Sequence, residues 1–175
     1  MLAAIAVAGS FRAEMDVDTY VDANNPDQSF SDSHTLWASS EGGKHLKEVY
    51  LSVTNRFESQ GILKPEQIKF ATLMFNATNV ERPGMIRAYV VHGATLPASA
   101  WNYKPEYDSS VSAFVNIKEN GSYSLDVTSL IKKAVEICAQ GCPYSIALTA
   151  DDSASVGFAS SEALGNNNPS LEYAA

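Results

Sequence analysis

Apolar and polar residues alternate with period two through most of this chain. The alternation is clearest from Ile68 to Thr78. There Ala71, Leu73, Phe75 and Ala77 fall on one face and Thr72, Met74, Asn76 and Thr78 on the other, as in a strand with one buried side. Shorter runs read the same way: TLWAS at 35–39, VYLSVTNRF at 49–57, GMIRAYVVHG at 84–93, SAFVNI at 112–117, SYSLDV at 122–127, YSIALTA at 144–150, VGFASS at 156–161 and PSLEYA at 169–174. Turn-forming clusters separate them, the longest being ANNPDQSFSDS at 23–33. One segment breaks the pattern. In DVTSLIKKAVEIC, Leu130, Ile131, Ala134, Val135 and Cys138 recur at helical spacing behind Asp126 or Thr128 as N-cap. Many short strands and one capped helix predict an all-β fold: an antiparallel two-sheet β-sandwich, jelly-roll-like, with one short helix.

The N-terminus admits two readings. Ile5, Val7, Gly9, Phe11, Ala13 and Met15 share one face of a strand, with Ser10, Arg12 and Glu14 on the other. The same stretch, LAAIAVAGS, also reads as the tail of a signal peptide, although no basic residues precede it. As a strand, residues 1–15 are expected to stand apart from a sandwich domain at 16–175. They would add to a neighbouring copy, with Ile5, Val7, Phe11 and Met15 filling its groove, or else form a first strand in their own sheet.

At 175 residues the chain is long enough for one domain with its own core. Its net charge of −8 repels phosphate backbones and anionic lipid, so nucleic acid is not an expected partner. No apolar run reaches the 18 residues of a membrane-spanning helix. Cys138 and Cys142, in ICAQGCP, are too few for a zinc site and spaced one residue wider than a redox C-x-x-C pair; the reading is a short local disulfide, against two free thiols. Asn76-Ala77-Thr78 and Asn120-Gly121-Ser122 are glycosylation sequons, and both features suit a secreted chain.

The chemistry of catalysis is thin. No nucleophile elbow or H-E-x-x-H motif occurs, and Asp151, Asp152 and Glu162 read as solvated carboxylates rather than a glycosidase pair, so no enzymatic activity is expected. Asp16, Asp18, Asp22, Asp27 and Asp32 crowd the N-terminal region and could supply oxygen ligands to a structural calcium ion; no other cofactor is expected. Trp101, Tyr103 and Tyr107 share one loop around Lys104. They form a candidate sugar platform, or else cap the core.

Several segments in order resemble the DNRLRE-type domain, related to disaggregatase-associated and carbohydrate-binding β-sandwich modules. They are DTYVDANNPDQSF…TLWASS, KEVYLSV, PEQIKFATLMF, IRAYVVHG, ASAWNYKPEY, SLDVTSLIKKAV and GFASSEALGNNNPSLEY, together spanning Asp16 to Tyr173. The strand YLSV lacks the family's phenylalanine and aspartate, and FASSE lacks the arginine of the namesake motif. The resemblance implies a β-sandwich that is secreted or displayed at the cell surface or in a matrix, some members binding acidic or complex polysaccharides. Two functions follow. The first is an extracellular structural protein assembling head-to-tail with copies of itself into a filament or matrix; the alternative is a module that binds polysaccharide.

Overall fold

The computed structural model describes residues 9–53, 57–138, 143–165 and 167–175, and of Cys138 the backbone alone. Ten strands and one α-helix occur among them: β1 (Ser10–Asp22), β2 (Thr35–Glu41), β3 (Lys44–Val53), β4 (Phe70–Arg82), β5 (Gly84–His92), β6 (Tyr107–Ile117), β7 (Gly121–Asp126), α1 (Thr128–Cys138), β8 (Tyr144–Ala150), β9 (Ser155–Ala159) and β10 (Ser170–Ala174). Every ladder between them is antiparallel. The expected sandwich with one short helix is the fold.

The two layers are not separate sheets. One contains β7, β4, β10 and the start of β1; the other contains the end of β1, then β3, β8, β5 and β6. Long strands join them by changing partners. Residues Ser10–Glu14 of β1 pair with β10, and Met15–Asp22 pair with β3 across a bulge. Strand β4 likewise passes from β10 to β9, again with a register shift. Bulges bend a strand and raise its twist, which lets one strand serve both layers. The strand order β1-β10-β4-β9-β2-β3 thereby closes back onto β1.

The core lies between the layers and follows the period-two pattern. Ala71, Leu73, Phe75 and Ala77 of β4 are buried and Thr72, Met74 and Asn76 are half-buried on the other side, the register expected from the sequence. Opposite them stand Val49, Leu51, Ile86, Ala88, Ile146 and Leu148. The helix closes the open side, burying Leu130, Ile131, Ala134 and Val135 against the same core. Its first turn is held by Asp126, whose Oδ1 accepts the Thr128 N–H at 2.9 Å and the Thr128 hydroxyl at 2.6 Å. Thr128 Oγ1 in turn accepts the Ala71 N–H at 2.9 Å, tying helix to β4. In the β2–β3 hairpin both central residues, Gly42 and Gly43, have positive φ, as a type I′ turn requires. Gly157 of β9 lies opposite Trp37, where an added Cβ would meet Thr35 at 2.8 Å and the indole at 3.2 Å.

Strand β1 departs from the expectation for the N-terminus. It runs unbroken through position 15, and its first half is hydrogen-bonded to β10 of the same chain. Phe11 stacks on Tyr173 at 5.3 Å, and Met15 is buried in the chain's own core. Phe11 and Met15, two of the four groups expected to fill a neighbour's groove, pack within their own chain beside β10. Ile5 and Val7 lie outside the described residues, as do Cys142 and the Cys138 side chain of the expected disulfide.

Candidate functional site

Residues on the outer face of β1, β3, β8, β5 and β6 are the alternates of those in the core. Cross-strand pairing sets them in rows. Thr19, Tyr50, Ala147, Tyr89 and Ser112 form one row; Thr149, Arg87 and Phe114 stand in the next, beside Glu48 and Val21. Val21, Tyr50, Val91 and Ala147 make a small apolar cluster here, packed under Trp101 and Tyr107. The loop after β5 brings Trp101 over this cluster. Its position is fixed by Asn102, whose N–H donates to Pro26 O at 3.0 Å and whose Nδ2 donates to Asp27 Oδ1 at 2.8 Å.

Glu48 is the electrostatic centre of this face. Its side chain is only 2% exposed, yet it carries three partners. Lys104 Nζ donates to Oε2 at 2.7 Å, the Tyr50 hydroxyl donates to Oε2 at 2.9 Å, and His45 Nδ1 lies 3.2 Å from Oε1. Burial is the largest influence and opposes ionisation, but the bonds from His45, Lys104 and Tyr50 outweigh it and hold the carboxyl below its usual range. The same burial, then the Glu48 charge, pushes the Tyr50 phenol up, and Tyr107 is pushed up to about 12 by burial, Glu48 and Tyr89. The three bonds tie His45 and Tyr50 of β3 and the Trp101 loop to one buried carboxylate.

Around it lie groups that solvent can reach. Tyr89 and Tyr107 stack at 4.5 Å with planes 17° apart. Arg87 grips Asp151, Nη2 to Oδ2 at 2.7 Å and Nε to Oδ1 at 3.4 Å, and both side chains remain about a quarter exposed (29% and 25%). The guanidinium lies 5.5 Å from the centre of the Phe114 ring, and Phe114 is 59% exposed. An open groove of about 450 Å³ continues past Phe114 along Ser112, Asp126, Ser129 and Lys132. Stacked aromatic faces and a two-nitrogen guanidinium–carboxylate pair thus lie side by side on one sheet face.

The model of carbohydrate-binding module family 96 matches residues 10–174. The chain belongs to that family. No curated protein matches the chain. The family-96 match covers every strand of the fold, so the module is the whole sandwich, β1 included.

Within the module, the three residues of the expected sugar platform part company. Trp101 has the Lys104 ammonium 3.7 Å from its ring centre and packs on the apolar cluster. Tyr107 stacks on Tyr89, a residue not singled out from sequence, and Tyr103 stands 74% exposed. The acidic residues of the N-terminal region are also dispersed. Asp18 is buried and accepts from the N–H and hydroxyl of Ser161 at 2.6 and 2.8 Å; Asp22 accepts from Asn24 and Asn25; Asp27 accepts from Asn102. Asp16, Asp18 and Asp32 line one small pocket with Glu162, but no cluster of His, Cys, Asp or Glu fit to hold a metal occurs among the described residues. No helix among them is long and apolar enough to cross a membrane. Asn76 is half-buried on the outer side of β4 and bonded to Ser122 and Asn167, whereas exposed Asn120 donates to Thr78 O and accepts the Val80 N–H. Glu48, Tyr50, Arg87 and Tyr89 were missed from sequence. The available signal was the second set of alternates in KEVYLSV and IRAYVV, where charge and tyrosine occupy the face opposite the aliphatics.

Proposed function

We propose that this chain is a non-catalytic, extracellular module that binds polysaccharide on the outer face of β3, β8, β5 and β6. One observation carries the reading: a stacked tyrosine pair, an exposed phenylalanine ring and a part-exposed Arg87–Asp151 pair share one sheet face in a carbohydrate-binding module. The likeness of the sequence to DNRLRE-type domains supports it. The filament reading loses its motive, since the described part of the strand that was to bridge copies is paired within its own chain. Glycans on Asn76 and Asn120 and a Cys138–Cys142 bridge belong to the same extracellular reading, and intact mass of the native protein, before and after reduction and deglycosylation, tests them.

Affinity electrophoresis through gels containing polysaccharide tests the binding. The wild type is retarded. Tyr89→Ala and Tyr107→Ala remove the stacked surface and should each weaken retardation by about 3–10-fold, since a stacked aromatic contact contributes roughly 0.5–1.5 kcal/mol beyond its buried area. Equal mobility of all three proteins would place binding elsewhere.

A further inference from the structure

We propose a second ligand site in this chain: the cleft between β1 and residues Ser161, Asn168 and Pro169, which takes a single sugar residue through its hydroxyls. The site is separate from the sheet face, and the proposal does not rest on the reading of that face.

The cleft follows from the way β1 changes layers. Its ladder with β10 ends at the Glu14–Ser170 pair, and a bulge at Asp16 then carries the strand over to β3. Across the gap stands Pro169, which has no N–H with which to extend the ladder. The two strands part there. An opening of about 480 Å³ lies between Arg12, Glu14, Met15, Ser161, Asn168 and Pro169. That size falls within the roughly 300–1,000 Å³ of small-molecule sites.

The polar groups around the opening have unspent capacity, and one of them lacks any partner. Asn168 Oδ1 is buried and accepts no hydrogen bond. Such an oxygen is costly to leave bare, and folded proteins pair nearly all of them. Ser161 donates its N–H and its hydroxyl to Asp18, at 2.6 and 2.8 Å, so its Oγ is left to accept. Arg12 spends Nε on Glu14 and Nη1 on Glu172, and its Nη2 has no partner among the described residues. Acceptors and a donor thus meet at one opening. A sugar hydroxyl suits this set because it works both ways, donating to Asn168 Oδ1 or Ser161 Oγ and accepting from Arg12 Nη2. Met15 and Pro169 supply an apolar wall for the ring C–H groups. In a carbohydrate-binding module, the compact opening suits one sugar residue, whereas the open sheet face suits a length of chain.

The test titrates the labelled full chain with free D-glucose, D-mannose, D-galactose, D-xylose, D-glucuronate and D-galacturonate. Backbone amides and the Asn168 side-chain amide are followed by NMR. At least one sugar should shift the Arg12, Ser161 and Asn168 signals together, with a dissociation constant on the order of a few mM. Asn168→Ala and Arg12→Ala should each weaken that binding by about 3–10-fold, and Tyr89→Ala should leave it unchanged. Arg12 lies on the surface, so its variant folds whatever becomes of Asn168→Ala. Shifts confined to Arg87, Tyr89 and Tyr107 would overturn the second site and leave the sheet-face reading standing. Shifts at Ser161 and Asn168 that neither substitution weakens would also overturn it. No shift there with any sugar of the panel would mean that water alone fills the opening, and the proposal would fall.

Discussion

Lys104 reaches back across the sheet to Glu48, its ammonium 2.7 Å from a carboxylate oxygen that has almost no exposed surface. The contact joins residues 56 positions apart and pins the loop that carries Trp101. Removing Lys104 takes the ammonium from a buried carboxylate that keeps only Tyr50 and His45 as partners. Lys104→Met should therefore destabilise the fold by about 1–3 kcal/mol, less than a fully buried pair because Lys104 is partly exposed. Glu48→Gln combined with Lys104→Met should recover part of that loss. Denaturant unfolding of the three proteins checks this, and a Lys104→Met variant as stable as the wild type would contradict it.

Stability should fall at both ends of the pH scale, for different groups. Glu48 is held below its ordinary range, so the unfolded chain takes up the proton first as pH falls. The stabilisation is whole above about pH 4.3 and is lost as pH drops through the lower folded value. Asp126, lowered by its bonds from Thr128, acts in the same direction. At high pH the buried phenols reverse the sign. Unfolded tyrosine ionises near pH 10, whereas Tyr107 holds its proton to about 12, so stability declines as pH rises between the two. Unfolding midpoints measured across pH should show a plateau with two falling limbs, and Glu48→Gln should flatten the acid limb. Identical acid limbs would show that Glu48 is not its source.

The first strand offers a test of how the chain closes its own fold. Residues 10–14 complete the ladder beside β10 and stack Phe11 on Tyr173, and Met15 pairs with Val53 of β3 and is buried. Deleting residues 1–15 should cost several kcal/mol, at roughly 1.5–3 kcal/mol per large apolar side chain lost from the core, and should expose β10 to association with other copies. Circular dichroism on heating, with sedimentation velocity, checks both outcomes. A truncated chain as stable and as monomeric as the full one would refute this placement.

How much of this was legible beforehand depends on how local each signal is. The inward set of β4 and the stripe of α1 were readable because each element has one buried face, and burial repeats with the period of the backbone. The face carrying Glu48, Tyr50 and Tyr89 was not. Strand β8 is buried on both sides, and so is β3 from Glu48 onward, so its alternation is masked by the apolar cluster beneath Trp101. Nor could the run of period-two residues before Asp16 say which chain it pairs with. Alternation specifies a face; the partner is set by β10, some 160 residues away. The Trp101 loop was found by its aromatic content, but Lys104 over the indole and Tyr107 against Tyr89 are tertiary facts.

Phe114 separates recognition of one sugar from recognition of a chain. It lies beyond Arg87 along the face and borders the groove leading to α1. Phe114→Ala should leave affinity for a disaccharide nearly unchanged and weaken binding of longer oligosaccharides by about 3–10-fold, the equivalent of roughly 0.5–1.5 kcal/mol. Calorimetric titration with oligomers of increasing length checks this; loss of affinity independent of length would mean that Phe114 acts through the fold.

The central claim is that the outer face of β3, β8, β5 and β6 binds polysaccharide, and the most direct measurement is titration of the labelled protein with soluble polysaccharide while backbone amide shifts are followed by NMR. The account predicts that the residues perturbed at saturation cluster at Arg87, Tyr89, Tyr107, Ser112 and Phe114, with Thr72, Ser122 and Ser124 on the opposite outer face unmoved. Perturbation centred on that opposite face, or none at all with any polymer, would contradict it.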